Sequence, residues 1–428
     1  MNRKVIGLAM LLAANGAFAQ TISQSSVELY GIIDIAVGRV ENSLNTDPNY
    51  GNTVNAYAAT KASVNNSVTG MINGGIQGSR WGIRGAEDLG GGVKAFYTLE
   101  SGFNAQDGAL SNSAAALASN SPKATTASSN GSLDGQLFNR QAFVGLSDST
   151  LGSIAFGRNY NPIYDIMTDY DPLLQAHSFS LLGVSNAYGG GGGISEDTRL
   201  DSSIKYKNTV GPVNVGVLYK FGGVSGNTAA QSGYAFNLGY EAGPFSVQAA
   251  YEAFTDALKS STSTVAGDIN VTNYNTTAYL IAAKYQFGPA TVRGGYESYT
   301  LKTPSDSLSS LGVTSLFGYA IGNATSASAN WSGADQTTHI GFIGGDYNFT
   351  SALNLAVGYY DVDLLSYGAT ASGSIKAASA LLDYHFSKRT DVYAGLMDLH
   401  YGGGLYDTTP ATYNSSNYIT AAGIRTKF

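Results

Sequence analysis

Apolar and polar residues alternate along many short segments of the chain. In the segment GPVNVGVLYKF, which covers 211–221, Val213, Val215 and Val217 share one face and Lys220 lies on the other. The segments PFSVQAAYEAF and AYLIAAKYQF repeat this alternation. A period of two over about ten residues predicts a β-strand, because a helix would place apolar residues three and four apart. The chain is therefore predicted to be all-β.

Several predicted strands end in aromatic residues at the same rim. A Tyr-x-Phe pair precedes three very short connections, at Tyr285 and Phe287, Tyr347 and Phe349, and Tyr384 and Phe386. Amphipathic rings prefer the interface between membrane and water, so this recurrence predicts an aromatic girdle. The alternative is a soluble sandwich core with scattered tyrosines, which does not explain why the aromatics recur at one end of successive strands.

The connections between predicted strands alternate between short and long. Short turns fall near 87–92, 147–151, 209–212, 241–244, 287–290, 350–352 and 387–390. Long polar stretches fall near 41–78, 104–137, 161–199, 222–233, 256–276, 302–335, 365–373 and 402–414. Seven short and eight long connections join sixteen strands, an even number that is typical of bacterial transmembrane barrels. Since backbone groups must all be paired inside a bilayer, the sheet is expected to close around a water-filled lumen.

The composition favours a membrane barrel over a soluble domain. Of the 428 residues, 54 are Gly, 29 are Tyr, none is Cys and only 12% are charged. That charged share is about half of the usual value for a globular domain. The mean hydropathy is −0.05, and no apolar run of about 18 residues follows the N-terminal segment, so no transmembrane helix is expected.

The N-terminus has the form of a secretory signal peptide. Arg3 and Lys4 precede a short apolar stretch, and an A-x-A sequence at 17–19 provides the small residues that signal peptidase requires. We expect residues 1–19 to be removed and residues 20–428 to form one domain. Removing the two basic residues leaves 21 against 30 acidic ones, a net charge of about −9. This charge argues against a nucleic-acid binder.

The C-terminal segment YITAAGIRTKF also alternates and ends in Phe428. A terminal Phe on the lipid face resembles the signal by which the barrel-assembly machinery recognises outer-membrane proteins. Together with SSVELYGIIDIAVG, SRWGIRGAEDLGGGVKAFYTLESGF and NRQAFVGLSDSTLGSIAFGRN, the segment GIRTKF resembles the general porins of Gram-negative bacteria, of the β-proteobacterial type. The resemblance implies a 16-stranded antiparallel β-barrel, a homotrimer, and a third long loop that folds inward to narrow the channel. It also implies passive diffusion of ions and small hydrophilic solutes across the outer membrane, with contacts to lipid and lipopolysaccharide.

Basic residues on the predicted strands are the candidates for one side of the constriction. In porins that the chain resembles, the wall carries a basic ladder, and the matching positions here are Arg80, Arg140, Arg158 and Arg199. Arg84 is added from parity alone, because its even spacing from Arg80 places both on one face. Pore selectivity depends on diameter and on the charges that line the narrowest point.

The opposite side of the constriction is expected on the loop that follows Arg158. The resemblance implies loop carboxylates across from the arginines, and the candidates are Asp165, Asp169 and Asp171, with Tyr164 and Tyr170 beside them. Asp171 matches the family pattern best, whereas Gln175 stands where many enterobacterial relatives carry a second carboxylate. Four or five arginines against few carboxylates predict an anion preference.

Three functions other than a general pore are compatible with parts of the sequence. An enzyme could use His385 and His400, both predicted to face the lumen near Asp383 and Asp398, but no metal-ligand spacing is present. A substrate-preferring pore for small organic anions and an adhesin or antigen role of the long loops both remain open. The glycines at 90–92 lack the spacing of a dinucleotide fingerprint and are predicted to form a turn, so no cofactor and no metal are expected.

Overall fold

A computed structural model of the chain describes residues 26–41, 67–108, 110, 137–185, 199–223, 228–229, 232–255, 275–302, 335–367, 371–403 and 416–428. The predicted signal peptide and most of the long loops lie outside these residues. Removal of residues 1–19 therefore stays a prediction.

The described residues form seventeen strand segments and two short helices. The strands are β1 (Ser26–Glu41), β2 (Ser67–Asn73), β3 (Arg80–Gly90), β4 (Val93–Gly102), β5 (Gln141–Asp148), β6 (Gly152–Tyr160), β7 (Arg199–Val210), β8 (Val213–Lys220), β9 (Gly233–Ala242), β10 (Phe245–Phe254), β11 (Asn275–Phe287), β12 (Ala290–Lys302), β13 (Gln336–Asn348), β14 (Leu353–Tyr367), β15 (Ala371–His385), β16 (Thr390–Gly403) and β17 (Ser416–Lys427). The helices are α1 (Pro162–Tyr170) and α2 (Leu181–Ser185), and both belong to the third long loop, which follows β6. Among the described residues, no helix is long and apolar enough to cross a membrane.

The seventeen strand segments form one closed antiparallel sheet. The sheet has sixteen strand positions around the barrel, and each position is called a stave. From β3 to β17 each strand pairs with the next one in sequence, and β1 pairs with β17 to close the barrel. The strands β2 and β3 are two halves of one stave, because both pair with β1 on the same side. Between them, residues 74–79 stand opposite only two residues of β1, Ile33 and Asp34. We call residues 74–79 the strand break.

Two of the expected loops are shorter than the sequence predicted. The sequence predicts one loop over 41–78, but Ser67–Asn73 form β2, and the glycine-rich strand break that follows hides the strand pattern there. The sequence also predicts a loop over 365–373, yet pairing between β14 and β15 extends to Tyr367 and Ala371. All seven short turns are present, including the one at Gly91 and Gly92, both of which have positive φ.

The two faces of the wall differ as the alternation predicted. On β11, Leu280 and Ala282 are buried on the lumen side, whereas Tyr279, Ile281 and Phe287 are exposed on the outer side. The three expected Tyr-x-Phe pairs are also exposed outward, and in each pair the two rings lie in contact, with centroids 4.3 to 5.3 Å apart. This arrangement is the aromatic girdle that the sequence predicted.

The third loop lies inside the barrel and packs on an apolar part of the inner wall. Helix α1 contacts β8 to β12, and its buried residues include Ile163, Ile166 and Met167. The inner wall supplies apolar partners to the same cluster, among them Tyr360 and Met397. The part of the inner wall that the loop covers is therefore apolar, which the alternation pattern did not reveal. Burial of these side chains fixes the loop in the lumen.

One histidine faces the opposite way from the sequence prediction. On β16 the buried, lumen-facing residues are Asp391, Tyr393, Met397 and Leu399. His400 is an odd number of residues from Asp391, so it lies on the outer face. His385, by contrast, lies beside Asp391 on the lumen side. The two histidines therefore cannot share a catalytic site.

The C-terminal residue closes the barrel seam. Phe428 donates its backbone N–H to Gly31 and accepts the N–H of Gly31, both at 3.1 Å. Its ring is about half exposed and lies against Gly31, where even a Cβ atom would collide with it. The position on the outer face is as expected, while recognition by the assembly machinery stays a prediction.

The two faces of β10 allow a direct test of the membrane assignment. Ala249 faces outward at mid-strand, and its neighbour Gln248 faces the lumen. We expect Ala249→Arg to reduce the free energy of unfolding by roughly 2–4 kcal/mol, the cost of arginine on the lipid face at mid-bilayer. Gln248→Arg is the matched control and should change it far less. The measurement is reversible urea unfolding in lipid vesicles, and equal effects of the two variants would contradict the assignment.

Candidate functional site

Four of the predicted arginines lie together on one part of the inner wall. Arg80 lies at the start of β3, Arg140 directly precedes β5, Arg158 lies near the end of β6, and Arg199 begins β7. These strands are close neighbours in the barrel, and each arginine lies at the same end of its strand. We call these four residues the arginine cluster.

Few carboxylates accompany the arginine cluster. Arg140 Nε lies 2.7 Å from Oε1 of Glu100, and Arg80 Nε lies 3.7 Å from the other oxygen of the same carboxylate. Arg158 Nη1 pairs with Asp201 at 2.5 Å. Three arginines of the cluster, Arg80, Arg140 and Arg158, thus share two carboxylates in these ion pairs, which leaves a positive excess. The side chains are more enclosed than the sequence suggested, since Arg80, Arg140 and Arg158 are only 5–7% exposed.

Tyrosine rings extend the arginine cluster toward the third loop. Tyr160 and Tyr164 are stacked with ring centroids 4.6 Å apart, and Arg199 lies over the Tyr160 ring at 5.2 Å. Arg140 donates a hydrogen bond of 2.8 Å to the Tyr160 hydroxyl. Helix α1 begins next to this stack, where Asn161 caps it by accepting the N–H of Tyr164 at 2.6 Å. The helix start is thereby joined to the arginine-bearing wall.

Arg84 lies apart from the cluster. It shares the face of Arg80, as parity predicted, but its Nε pairs with Glu28 at 2.8 Å and its guanidinium covers the Tyr30 ring. The four residues from Arg80 to Arg84 place it about 13 Å further along the strand. It therefore lies in a separate layer of the wall, closer to the short-turn rim.

The carboxylates of α1 are bound to lysines of the wall. Asp165 pairs with Lys205 at 2.5 Å and also with Lys207, both on β7. Burial alone would raise the pKa of Asp165, but the two lysines outweigh it and hold that pKa below its usual value. At the other end of α1, Asp169 pairs with Lys284 of β11. These two predicted site residues thus attach the helix to the wall.

Asp171 does not line the channel, which corrects the expectation from the sequence. Its side chain is fully buried, and one oxygen accepts the backbone N–H groups of Leu173 at 3.0 Å and Gln175 at 2.7 Å. The other oxygen accepts the hydroxyls of Ser180 at 3.0 Å and Tyr360 at 2.9 Å. Burial raises the pKa of Asp171 to about 6, although these bonds oppose the rise. The carboxylate shapes the turn after α1 and ties it to β14.

The remaining predicted aromatic, Tyr170, anchors the end of α1. Its hydroxyl bonds to Ser246 of β10, and Lys284 lies 4.8 Å above its ring. Burial raises the pKa of Tyr170 to about 12, so the phenol is neutral at physiological pH. Tyr170 thus holds the C-terminal end of α1 against strands β10 and β11.

Several residues of the site were not found from the sequence. Glu100, Lys205, Lys207 and His177 all lie next to predicted site residues. The even spacing of the two lysines was a usable signal, since it places both on one face of a strand. No sequence pattern indicated His177, because the course of the third loop, and not strand spacing, brings it near the arginines. Burial and the nearby arginines lower the pKa of His177 to about 3, which leaves it uncharged.

One group of side chains has the spacing of metal ligands. Asp383, His385 and Asp391 lie close together on the inner wall. The guanidinium of Arg425 bonds to Asp391 at 3.1 Å and lies 3.5 Å from Asp383. Because a guanidinium already contacts both carboxylates, we propose no metal there.

Comparison with known proteins agrees with this geometry. A family model described as Gram-negative porin matches residues 7–404. The chain belongs to the Gram-negative porin family. It is 32% identical over 244 residues to an outer membrane porin protein of Bordetella pertussis, across 56% of this chain and 48% of that protein. The chain thus spans about half the length of this curated relative.

Solved porin-like structures have the same fold. An anion-selective porin from Comamonas acidovorans matches with a TM-score of 0.64 and 22% identity, over 95% of this chain and all of that one. The trimer form of OmpT, an outer membrane protein of Vibrio cholerae, matches with a TM-score of 0.56 and 15% identity, over 95% of this chain and 100% of that one. At these identities the matches establish the fold of the porin.

The two aspartates of the third loop should respond to pH in opposite ways. The pKa of Asp171, about 6, lies above the value of about 3.9 expected when the turn is undocked. Its contribution to docking is therefore fully present below pH 4 and is lost as the pH rises through 6, by up to about 3 kcal/mol. Asp165 has a lowered pKa, so its contribution is present at neutral pH and is lost in acid.

Hydrogen exchange measured between pH 4 and pH 7, with correction for intrinsic rates, tests this contrast. We expect the amides of Leu173 and Gln175 to become better protected in acid, while those of helix α1 near Asp165 become less protected. A loss of protection in acid at both places would contradict the assignment for Asp171.

Proposed function

We propose that the chain forms a general diffusion pore in the outer membrane of a Gram-negative bacterium, with a preference for anions. One observation carries the proposal. The arginine cluster lies on the inner wall with a positive excess, while the carboxylates of the third loop are bound by lysines or buried. Small hydrophilic solutes would pass between the loop and this wall.

The charges would act on permeating ions through the narrowed, water-containing passage. A unit charge 4 Å from an ion changes its energy by about 1 kcal/mol even in bulk water, which is a roughly fivefold effect. Positive groups on the wall therefore raise the local concentration of anions and lower that of cations. Membership of the porin family and the name of the Comamonas relative, an anion-selective porin, support this proposal.

The proposal extends to assembly and surroundings. We infer a homotrimer, supported by the trimer form of the related Vibrio protein, and contact of the outer face with lipid and lipopolysaccharide. The outward apolar residues and the aromatic girdle fit contact with lipid. A preference for small organic anions is a second candidate, favoured by the tyrosine stack beside Arg199. Uptake that saturates with one solute would favour it over size-dependent diffusion.

Neutralising the arginine cluster should weaken the anion preference. We expect Arg80→Gln combined with Arg140→Gln to lower the anion-to-cation permeability ratio about fivefold or more, from the Coulomb energy of the lost charges. The measurement is the reversal potential of single channels in a planar bilayer under a salt gradient. Arg84→Gln is the control, since it removes one charge from a separate layer and should change the ratio little. An unchanged reversal potential in the double variant would contradict the proposed selectivity.

A further inference from the structure

The strand break interrupts the backbone ladder of the barrel, and its N–H groups are bound by one carboxylate. Asp34 Oδ2 accepts the N–H of Gln77 at 2.7 Å and of Ile76 at 3.1 Å, and Oδ1 accepts the N–H of Gly75 at 3.2 Å. The hydroxyl of Tyr393 donates to the same carboxylate. Asp34 is fully buried, so each of these bonds replaces water that the carboxylate has lost.

The carbonyl groups of the strand break bind the third loop. His177 donates its backbone N–H to the carbonyl of Ile76 at 3.0 Å, and Ser178 donates to the carbonyl of Gly75 at 2.9 Å. In an unbroken stave these carbonyls would pair with the neighbouring strand. The break thus makes two carbonyl groups available to the loop. The N–H groups of the same two peptide units, those of Ile76 and Gln77, bond to Asp34 instead. We call residues 176–180 the docking segment.

Close packing strengthens the contact between the strand break and the docking segment. The Phe179 ring lies edge-on to the Tyr393 ring, with centroids 6.2 Å apart. A Cβ atom at Gly75 would lie 2.3 Å from the Tyr393 hydroxyl, so only glycine allows Tyr393 to reach Asp34. A Cβ atom at Gly78 would lie 2.9 Å from the His177 ring.

The docking segment brings the third loop back to the arginine cluster. Gly78 lies between His177 and Arg140, whose Nη1 would be 3.7 Å from a Cβ atom at that position. The loop begins beside Tyr160 at this same wall and crosses to β10, β11 and β14 before it returns. Its return point is therefore set by the strand break.

We propose that Asp34 is the positioning residue of the constriction. Its carboxylate holds the strand break in the shape that receives the docking segment, and the docking segment fixes the third loop beside the arginine cluster. Asp34 itself does not touch a permeating ion. The inference rests on the proposed function only in that the constriction is taken to be the selective part of the pore.

A thiol probe in the docking segment tests the inference without reference to conduction. The chain contains no cysteine, so Ser178→Cys provides a single thiol. Ser178 is fully buried, and its hydroxyl has no hydrogen-bond partner among the described residues, so the smaller polarity of a thiol should be tolerated. The folded porin in detergent is labelled with a maleimide, and folding is checked by its heat-modifiable mobility in gels.

In this background, Asp34→Asn should release the docking segment. An amide offers one acceptor oxygen and two donor hydrogens, whereas the site donates three backbone N–H groups and a tyrosine hydroxyl to the two oxygens of Asp34. We expect the labelling rate of Cys at 178 to rise at least severalfold, and single channels to lose their uniform conductance and part of their anion preference. The control is Asp391→Asn, which removes a carboxylate that is equally buried on the inner wall and bonds to Arg425. It should leave the labelling slow.

The outcomes separate the two proposals. If the Asp34→Asn chain does not fold, Tyr393→Phe is used in its place. This change removes one hydrogen bond to Asp34 and keeps the ring against Phe179. We expect it to raise the labelling rate by a smaller factor. A folded Asp34→Asn or Tyr393→Phe variant that labels as slowly as its parent overturns the role of Asp34. A parent protein that shows protected Cys at 178 but no conductance would overturn the proposed function and leave the role of Asp34 standing.

Discussion

Inside a bilayer no water is available to a backbone N–H or C=O group, and the whole barrel meets that constraint by pairing strand with strand. The strand break is an exception with its own solution. There the donors bind the carboxylate of Asp34 and the acceptors bind the third loop. The requirement for complete pairing therefore does more than close the barrel. At the strand break, the third loop supplies the hydrogen bonds that a neighbouring strand would otherwise make.

The inner wall is divided between two kinds of surface. One part carries the arginine cluster, and the other presents apolar side chains and lysines to the third loop. Because the carboxylates of Asp165 and Asp169 form ion pairs with those lysines, the loop adds little negative charge to the passage. Attachment of the loop and selectivity of the passage are thus linked, since the pairs that hold the loop also neutralise it.

Much of the barrel could be predicted from the sequence because its rules are local. Alternation along β8, β10 and β11 gave the strands and their faces, and turn length gave the order of strands. The four arginines of the cluster were found because the segments around them resemble porin motifs, and only Arg84 was found from strand parity. Asp171 and His177 lie on the loop, where their surroundings depend on how the chain crosses the lumen. The apolar inner wall was missed for the same reason, since the part of the wall that is covered depends on the path of the third loop.

The carboxylate of Asp34 joins parts of the chain that are far apart in sequence. Its partner Tyr393 is 359 positions away, on the penultimate stave, while the strand break lies in the second stave, between β2 and β3. A contact of such separation closes a long loop of chain, which carries an entropic cost and makes its formation slow. A barrel whose first and last staves have not met therefore lacks a finished constriction, so the narrow point of the pore matures together with closure of the wall.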